Sequence, residues 1–342
     1  MVDLLIAGGG PIGLATAIEA ATEGMTVRVL EPREAPIDKA CGEGLMPSAR
    51  VALARLGVHP SGREFVGIRY LDADARRSAE ARFPEGPGLG VRRTDLSAEL
   101  TDRALEVGVD LVREAAEVPR SGSDSVTVGA HRARWFVAAD GLRSPTREAL
   151  GLNGFPGPVG SRRFGLRRHY HVSAWTDLVE VYWSRHAEAY VTPVGEDLVG
   201  VALLCAPGRR FGDWLADFAG LQTRLDGARP ANAVRGAGPL RQSVTRRVSG
   251  RTLLVGDAAG YVDALTGEGI SVGLRCAHEL VRCLLADRPQ DYEVAWRRAT
   301  RSYRVLTGGL LAVTSRPLVR RALVPAAARW PALFSAAVGR LG

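Results

Sequence analysis

Lysine is almost missing from this chain: Lys39 stands alone among 45 basic residues, the rest being arginine, against 37 acidic ones and for a formal net charge of +8. Such a skew points to a GC-rich coding sequence. The arginines are not gathered into a nucleic-acid-binding motif, so nucleic acid is not an expected partner. The charge keeps a general role in drawing phosphorylated ligands toward the protein. Cysteine is scarce too. Cys41, Cys205, Cys276 and Cys283 form no C-x-x-C pair, and the six histidines and scattered acids show no metal-ligand spacing. Cys276 and Cys283 fall two turns apart on one expected helix and read as core. No signal peptide is read, so a reduced cytoplasm is the expected compartment. No apolar run is long enough to span a bilayer. The 46% apolar content over 342 residues is enough for two domains or one large interrupted domain.

What is present begins at residue 3. Asp3 to Ala7 is a short apolar run that reads as a buried parallel strand. It runs into Gly8, Gly10 and Gly13, spaced G-x-G-x-x-G with Pro11 inside the turn, and then into a helical stretch from Leu14 to Glu23. Gly8 allows the tight turn, Gly10 lets a pyrophosphate approach the backbone, and Gly13 lets helix and strand pack closely. The helix N-terminus offers free N–H groups and a partial positive charge to that pyrophosphate. Thr26 to Leu30 is the next expected strand. Glu31 ends it, about 18 residues after Gly13, placed to accept hydrogen bonds from a ribose diol and favouring an unphosphorylated ribose.

Two further segments separate FAD from NAD. One is VAADGLRSPTR, residues 137–147, with Asp140 and Gly141. The other is LLVGDAAGYVDALTGEGI, residues 253–270. It puts Gly256 and Asp257 between an apolar strand, Thr252 to Val255, and a helical run from about Gly267 to Ala286. A carboxylate there can bind a ribityl hydroxyl, and the helix N-terminus can face the pyrophosphate or the flavin edge. Small residues Ala258, Ala259 and Gly260 allow close approach of the backbone. Gly267, Gly269 and Ile270 continue it.

This set resembles the flavoproteins that include the para-hydroxybenzoate hydroxylase type and the geranylgeranyl reductases. The resemblance covers nearly the whole chain. It implies that Asp140 to Arg147, a D-G-x-x-S-x-x-R pattern, contacts FAD and an incoming nicotinamide. It also implies that Arg93, ahead of a helix from Leu96 to Val107, lies near the FAD. Where the group usually has Pro this chain has Ala264, which implies a looser flavin-side loop. Asp38 to Pro47 looks like the K-x-CG-x-GL loop of the reductase branch, which places Cys41 and Gly42 beside the flavin, with Cys41 a candidate flavin-adjacent thiol. The implied fold is α/β: a Rossmann-type FAD-binding domain, glutathione reductase-like and para-hydroxybenzoate hydroxylase-like. An antiparallel substrate sheet interrupts it, and a helical C-terminus follows. The expected boundaries are 1–62, 90–150 and 248–290 for the FAD domain, 63–89 and 151–247 for the sheet, and 291–342 for the helical segment.

Within the sheet, residues 64–83 read as one hairpin. Alternating runs follow at Arg162–Val172, Leu178–Ser184, Ala187–Pro193 and Leu198–Leu204. Period two puts Arg167, His169 and His171 on one face, Glu180 and Tyr182 on one face, and Tyr190 and Thr192 on one face. The candidate substrate contacts are His169, Tyr182, Tyr190 and Thr192, and which face lines the cavity is open at this point. Their mixture of aromatic and apolar neighbours suggests a bulky apolar or aromatic substrate. In the C-terminal segment Trp296, Trp330 and Phe334 suggest packing on the FAD domain, with weak peripheral membrane contact as the alternative.

The leading expectation is an NAD(P)H-dependent monooxygenase that hydroxylates a phenolic or polyketide-like molecule with molecular oxygen, through a flavin peroxide in a dry site. NADH or NADPH is a transient reductant, since only one dinucleotide fold is present, and no stable protein partner is expected. The alternative is reduction of C=C bonds in an isoprenoid. The Cys41 loop favours that alternative, while the Y-x-W-x-F-P stretch of the reductases is here Glu188-Ala189-Tyr190-Val191-Thr192-Pro193, which keeps only the Pro and the following Gly195. A non-catalytic carrier, like the escort proteins of prenylated GTPases, would not hold FAD, and the intact Glu31, Arg93 and Asp257 oppose it. No W-x-W-x-I-P stretch of the halogenases is found.

Overall fold

A computed structural model describes residues 1–155 and 162–339. The parts of the expected domains at 156–161 and 340–342 lie outside the described residues.

The first strand, Val2–Ala7, is apolar along its whole inner length and sits at the centre of a sheet. Parallel partners flank it: Val27–Leu30 and then Asp110–Val112 on one side, His131–Ala138 and then Thr252–Leu254 on the other. Strands buried on both faces are near-continuous in Val, Ile and Leu, and Leu4, Leu5, Ile6, Phe136, Val137, Leu253 and Leu254 are fully enclosed. The chain leaves the first strand to one side and returns on the other, which opens a crevice at the carboxyl ends. Helix Pro11–Thr22 packs on the long helix Gly269–Leu285 and on Arg93–Glu106. Cys276 and Cys283 are core, as expected.

A second sheet roofs the crevice. Its order runs Arg229–Pro230, Phe164–His171, Leu198–Cys205, Glu188–Pro193, Leu178–Trp183, Gly67–Asp72, Ser78–Arg82. The four runs read from alternation are all strands. The expectation of a purely antiparallel sheet needs one correction: Leu178–Trp183 and Gly67–Asp72 pair in parallel, Leu178 opposite Gly67. The two segments are far apart in sequence, so no hairpin turn constrains their direction. The hairpin spans only Gly67–Arg82; Arg63–Phe65 belongs to a separate three-stranded sheet with Gly44–Leu45 and Gly88–Gly90. Period two then divides the roof. Val179 and Val181 face one cluster with Met46, Leu204 and Leu265. Tyr182, Val191 and Leu203 face another, closed by Trp214 and Leu221 of two short helices, Phe211–Leu215 and Ala219–Arg224, and by Phe218 between them.

The C-terminal helices differ from expectation. Trp296, on helix Tyr292–Ala299, does pack in the FAD-domain core, with Arg247 stacked 3.7 Å from its ring centroid. Helices Pro317–Arg329 and Pro331–Val338 instead pack on the roof sheet, burying Val324, Phe334 and Val338. Phe334 meets Tyr70 at a centroid distance of 4.8 Å. Arg320 crosses to the roof and reaches Glu188 Oε1 and the carbonyl of Ser184. Among the described residues no helix is long and apolar enough to cross a membrane, and no group of His, Cys, Asp and Glu is placed to hold a metal ion.

Glu268 stands just before helix Gly269–Leu285, buried, with Oε2 unpartnered among the described residues. Burial pushes its carboxyl up to about 7, against a Thr266 hydrogen bond and the Arg275 charge. A carboxyl raised in the fold costs stability as pH climbs from the unfolded value through the folded one. Glu268→Gln should therefore raise Tm at pH 8 and leave it nearly unchanged at pH 4. Equal gains at both pH values in thermal melts would contradict this.

Candidate active site

Four parallel strands end on the same edge of the sheet. Gly8 follows the first, Glu31 the second, Asp140 follows His131–Ala138, and Gly256 and Asp257 follow Thr252–Leu254. All of them border one cavity of about 720 Å³, which continues under the roof sheet. The three distant segments of sequence thus converge without contacting one another along the chain. Gly8 holds φ +104°, and a Cβ there would lie 2.5 Å from the carbonyl oxygen of Ala139. A Cβ on Gly13 would lie 1.9 Å from the carbonyl oxygen of Gly8. Pro11 occupies the first helical turn, and Gly10 at the cap gives no side-chain hydrogen bond, so the helix N–H groups stay available for an anion.

The charged groups match that anion and its sugars. Glu31 accepts the Gly9 N–H at 2.9 Å and the Arg33 N–H at 3.0 Å, and pairs with the Arg33 guanidinium. Burial opposes its ionisation, but these bonds and the Arg33 charge hold the carboxyl below its ordinary range. Arg93 is the first residue of its helix, three residues earlier than the sequence reading began it, and is only 6% exposed. Its Nη1 has no partner among the described residues, and it lines the cavity beside Gly10. Burial lowers its pKa, with the nearby Asp257 and Glu43 carboxylates among the groups opposing this. Asp140 Oδ2 accepts the Thr146 N–H at 3.1 Å, and its Oδ1 has no partner among the described residues. Asp257 lies 3.5 Å from Lys39 Nζ. A buried guanidinium with no ion-pair partner among the described residues, a helix N-terminus without a side-chain cap and an acid at the second strand end fit FAD.

Gly141 (φ +82°), Gly256 (φ +62°) and Gly267 (φ +71°) turn backbone toward the cavity, and Gly269 and Ile270 line it. Asp257 itself sits on a short 3₁₀ turn, Gly256–Ala259, with a loop separating it from the long helix. Ala258 and Ala259 are buried away from the cavity. Arg147 behaves differently from the contact role the resemblance implied. It hydrogen-bonds the carbonyls of Leu142 and Ala258 and the side chains of Asn153 and Gln242, so it ties the second motif to the third.

The loop Asp38–Pro47 closes the cavity wall. Cys41 and Gly42 line it. Burial pushes the Cys41 thiol up, Arg93 only partly offsetting this. The residue that sequence reading missed is Glu43. It is 4% exposed and holds φ 59°, its Oε1 accepts the Arg93 N–H at 2.7 Å, and its Oε2 meets His169 Nε2 at 2.5 Å. The ring's other nitrogen, Nδ1, faces Arg167 Nη1 at 3.1 Å and the Asn232 amide nitrogen at 2.5 Å, while the Asn232 oxygen accepts the His169 backbone N–H. Arginine can only donate. Nδ1 therefore accepts, and Nε2–H donates to Glu43.

His169 is thus corrected from substrate contact to buttress: it is 1% exposed and does not line the cavity. Tyr182 is corrected as well. It points to the far face of the roof, donating to Glu180 Oε2 at 2.8 Å within the Trp214 and Phe218 cluster. Tyr190 and Thr192 do line the cavity. Tyr190 donates to the Leu265 carbonyl and Thr192 to the Gly42 carbonyl, each at 2.8 Å. The roof face is completed by Ile68, Val179, Val181, Leu204 and Leu240.

A family model described as an FAD binding domain matches residues 1–218. The menaquinone reductase of Mycolicibacterium smegmatis is 28% identical over 338 residues, covering 86% of this chain and 79% of that protein. Digeranylgeranylglycerophospholipid reductase 1 of Methanopyrus kandleri is 29% identical over 306 residues, covering 80% and 78%. The crystal structure of p-nitrophenol 4-monooxygenase PnpA from Pseudomonas putida matches with a TM-score of 0.73 at 20% identity, over 94% of this chain and 96% of that one.

Arg93→Met should weaken FAD binding about ten- to a hundredfold, the worth of a charge-assisted hydrogen bond, in flavin fluorescence titrations; unchanged affinity would remove Arg93 from the site. Likewise Asp257→Ala should purify with depleted flavin. His169→Ala should also lose flavin by loosening the Glu43 loop, while Tyr182→Phe should keep full flavin and lose about 1 kcal/mol of stability.

Proposed function

The chain belongs to the FAD-binding domain family, and from that premise we propose that this FAD-dependent oxidoreductase reduces carbon–carbon double bonds in an apolar, isoprenoid-type substrate. The observation that carries the reading is the placement, around one cavity, of the Cys41 thiol and an apolar roof. Bound FAD supplies the two-electron redox chemistry, with NADH or NADPH as the source of electrons. The rest is done by side chains. Glu31, Arg93, Asp140 and Asp257 bind and orient the cofactor. Ile68, Val179, Val181, Leu204 and Leu265 accept an apolar chain and exclude water. Cys41 holds a proton at Sγ, kept there by burial. Saturating a double bond consumes one hydride and one proton, and Cys41 is the wall residue suited to the second.

The same wall is poorly equipped for ring hydroxylation. That reaction is helped by a base that ionises a phenol, but Glu43, the lining carboxylate beside Cys41, already has a donor on each oxygen, and the roof strands add no carboxylate or imidazole among the described lining residues. The two reductase relatives are named for molecules whose shared part is a polyprenyl chain. A second reading, the monooxygenase, is favoured by the Glu188–Pro193 strand, which lacks the aromatic pattern of the reductase branch.

The deciding experiment reduces the purified yellow protein with NADPH without air and then adds geranylgeraniol, which has no quinone ring to take up the two hydrogens. Reoxidation of the flavin, with a product heavier by two hydrogens, is the expected result. No reoxidation until air and a phenol are supplied, with a product heavier by one oxygen, would replace this reading with the hydroxylase. Cys41→Ser should keep its flavin and lose about a hundredfold or more in turnover, the usual worth of a positioned proton donor.

A further inference from the structure

The net charge of this protein is not spread over it. Residues 294–342 contain nine arginines and no Asp or Glu, so the remainder, with 36 basic against 37 acidic side chains, is close to neutral. Arg297, Arg298, Arg301, Arg304, Arg316, Arg321 and Arg329 are exposed, and none has an ion-pair partner among the described residues. The same helices carry exposed apolar side chains. Leu318 is 79% exposed, Leu333 69% and Trp330 58%, with Val305 and Val313 beside them in sequence on the helix Arg301–Thr314. On that helix Val305, Gly309, Ala312 and Val313 are all exposed and spaced i, i+4, i+7, i+8, one face of an α-helix. The inward sides of the next two helices are already used, through Val324, Phe334 and Val338 on the roof sheet. Their outward apolar groups are therefore surplus to the fold.

We propose that the outer face of the three helices Arg301–Thr314, Pro317–Arg329 and Pro331–Val338 docks on the surface of a bilayer rich in anionic lipid. An exposed tryptophan with leucines suits the headgroup boundary, and long arginine stems lie over apolar surface while the guanidinium reaches phosphate. Unpaired arginines with no acid among them complement anionic headgroups. A second copy of the chain fits badly, because a two-fold contact would set these arginines against each other. The face also adjoins the cavity: Phe334 is buried against Tyr70, and Tyr70 lines the cavity wall. This inference stands apart from the reductase reading, because its test measures binding and not turnover.

The test is co-sedimentation of the flavin-loaded protein with vesicles of phosphatidylcholine alone or with phosphatidylglycerol. Binding is expected only with phosphatidylglycerol and should weaken as salt rises. The variant Arg316→Ser/Arg321→Ser/Arg329→Ser should bind at least about tenfold more weakly. The variant Leu318→Ser/Trp330→Ser/Leu333→Ser should remain in the supernatant. Flavin content and Tm, read on both variants, should match the parent, since all six side chains are outward. A parent protein that ignores phosphatidylglycerol vesicles would overturn the proposal. So would vesicle binding that survives loss of the three apolar groups. A parent dimer that the apolar variant converts to monomer, with no vesicle binding, would assign the face to a second copy.

Discussion

A Cβ on Gly13 would sit 1.9 Å from the carbonyl oxygen of Gly8, and that missing atom sets how closely the first helix can lie on the first strand. The helix N-terminus is aimed by this contact, and the carboxyl edge of the sheet is organised around it. A second glycine contact works in the same way from the other side, since a Cβ on Gly273 would lie 2.5 Å from Ile12. The first helix is held between its own strand and the long helix that carries the third motif. The cofactor cavity is the space left over when these backbones close on one another, so its geometry follows from small residues more than from any large one.

Above that edge the wall is made by polar groups in an apolar setting. Glu43 links the Cys41 loop, the N-terminus of the Arg93 helix and the roof strand through His169 and Arg167. Burying such groups is costly unless each one is satisfied. Here the Glu43 carboxylate has a donor on each oxygen and His169 has partners at both ring nitrogens. The network fixes the loop where an apolar substitute would let it move. Arg147 does the same on the opposite wall. Two buried side chains, Glu43 in the cavity lining and Arg147 behind it, therefore hold the shape of the cavity.

The FAD-binding half was legible in the sequence because its constraints are local. A strand, a glycine turn and an acid a fixed distance on are written in consecutive residues, and Gly8, Glu31, Asp140 and Asp257 all border the cavity. Alternation likewise located the roof strands within a residue or two. It put Tyr190 and Thr192 on one face, and both line the cavity, but it carried no information on which face of Leu178–Trp183 looked down, and Tyr182 points to the far side. That choice is made by the two short helices after Arg210, which cover one face and are remote in sequence. His169 failed for another reason. It lies on the cavity-side face, but Glu43 rises to meet it, and nothing about an acid between Gly42 and Gly44 announces a contact across 126 residues. The parallel pairing of the hairpin strand with Leu178–Trp183 was equally invisible, since long connections leave strand direction free.

Thr192 and Tyr190 stitch the roof to the two loops below it, one to Gly42 and the other to Leu265. Both residues stand on the roof strand Glu188–Pro193, and both line the cavity. Each bond therefore pins the roof to the floor at one point, one over the Cys41 loop and the other over the loop ahead of the long helix. The acceptors are backbone carbonyls, so the depth of the enclosure rests on the two roof side chains and not on the side chains of the loops they reach.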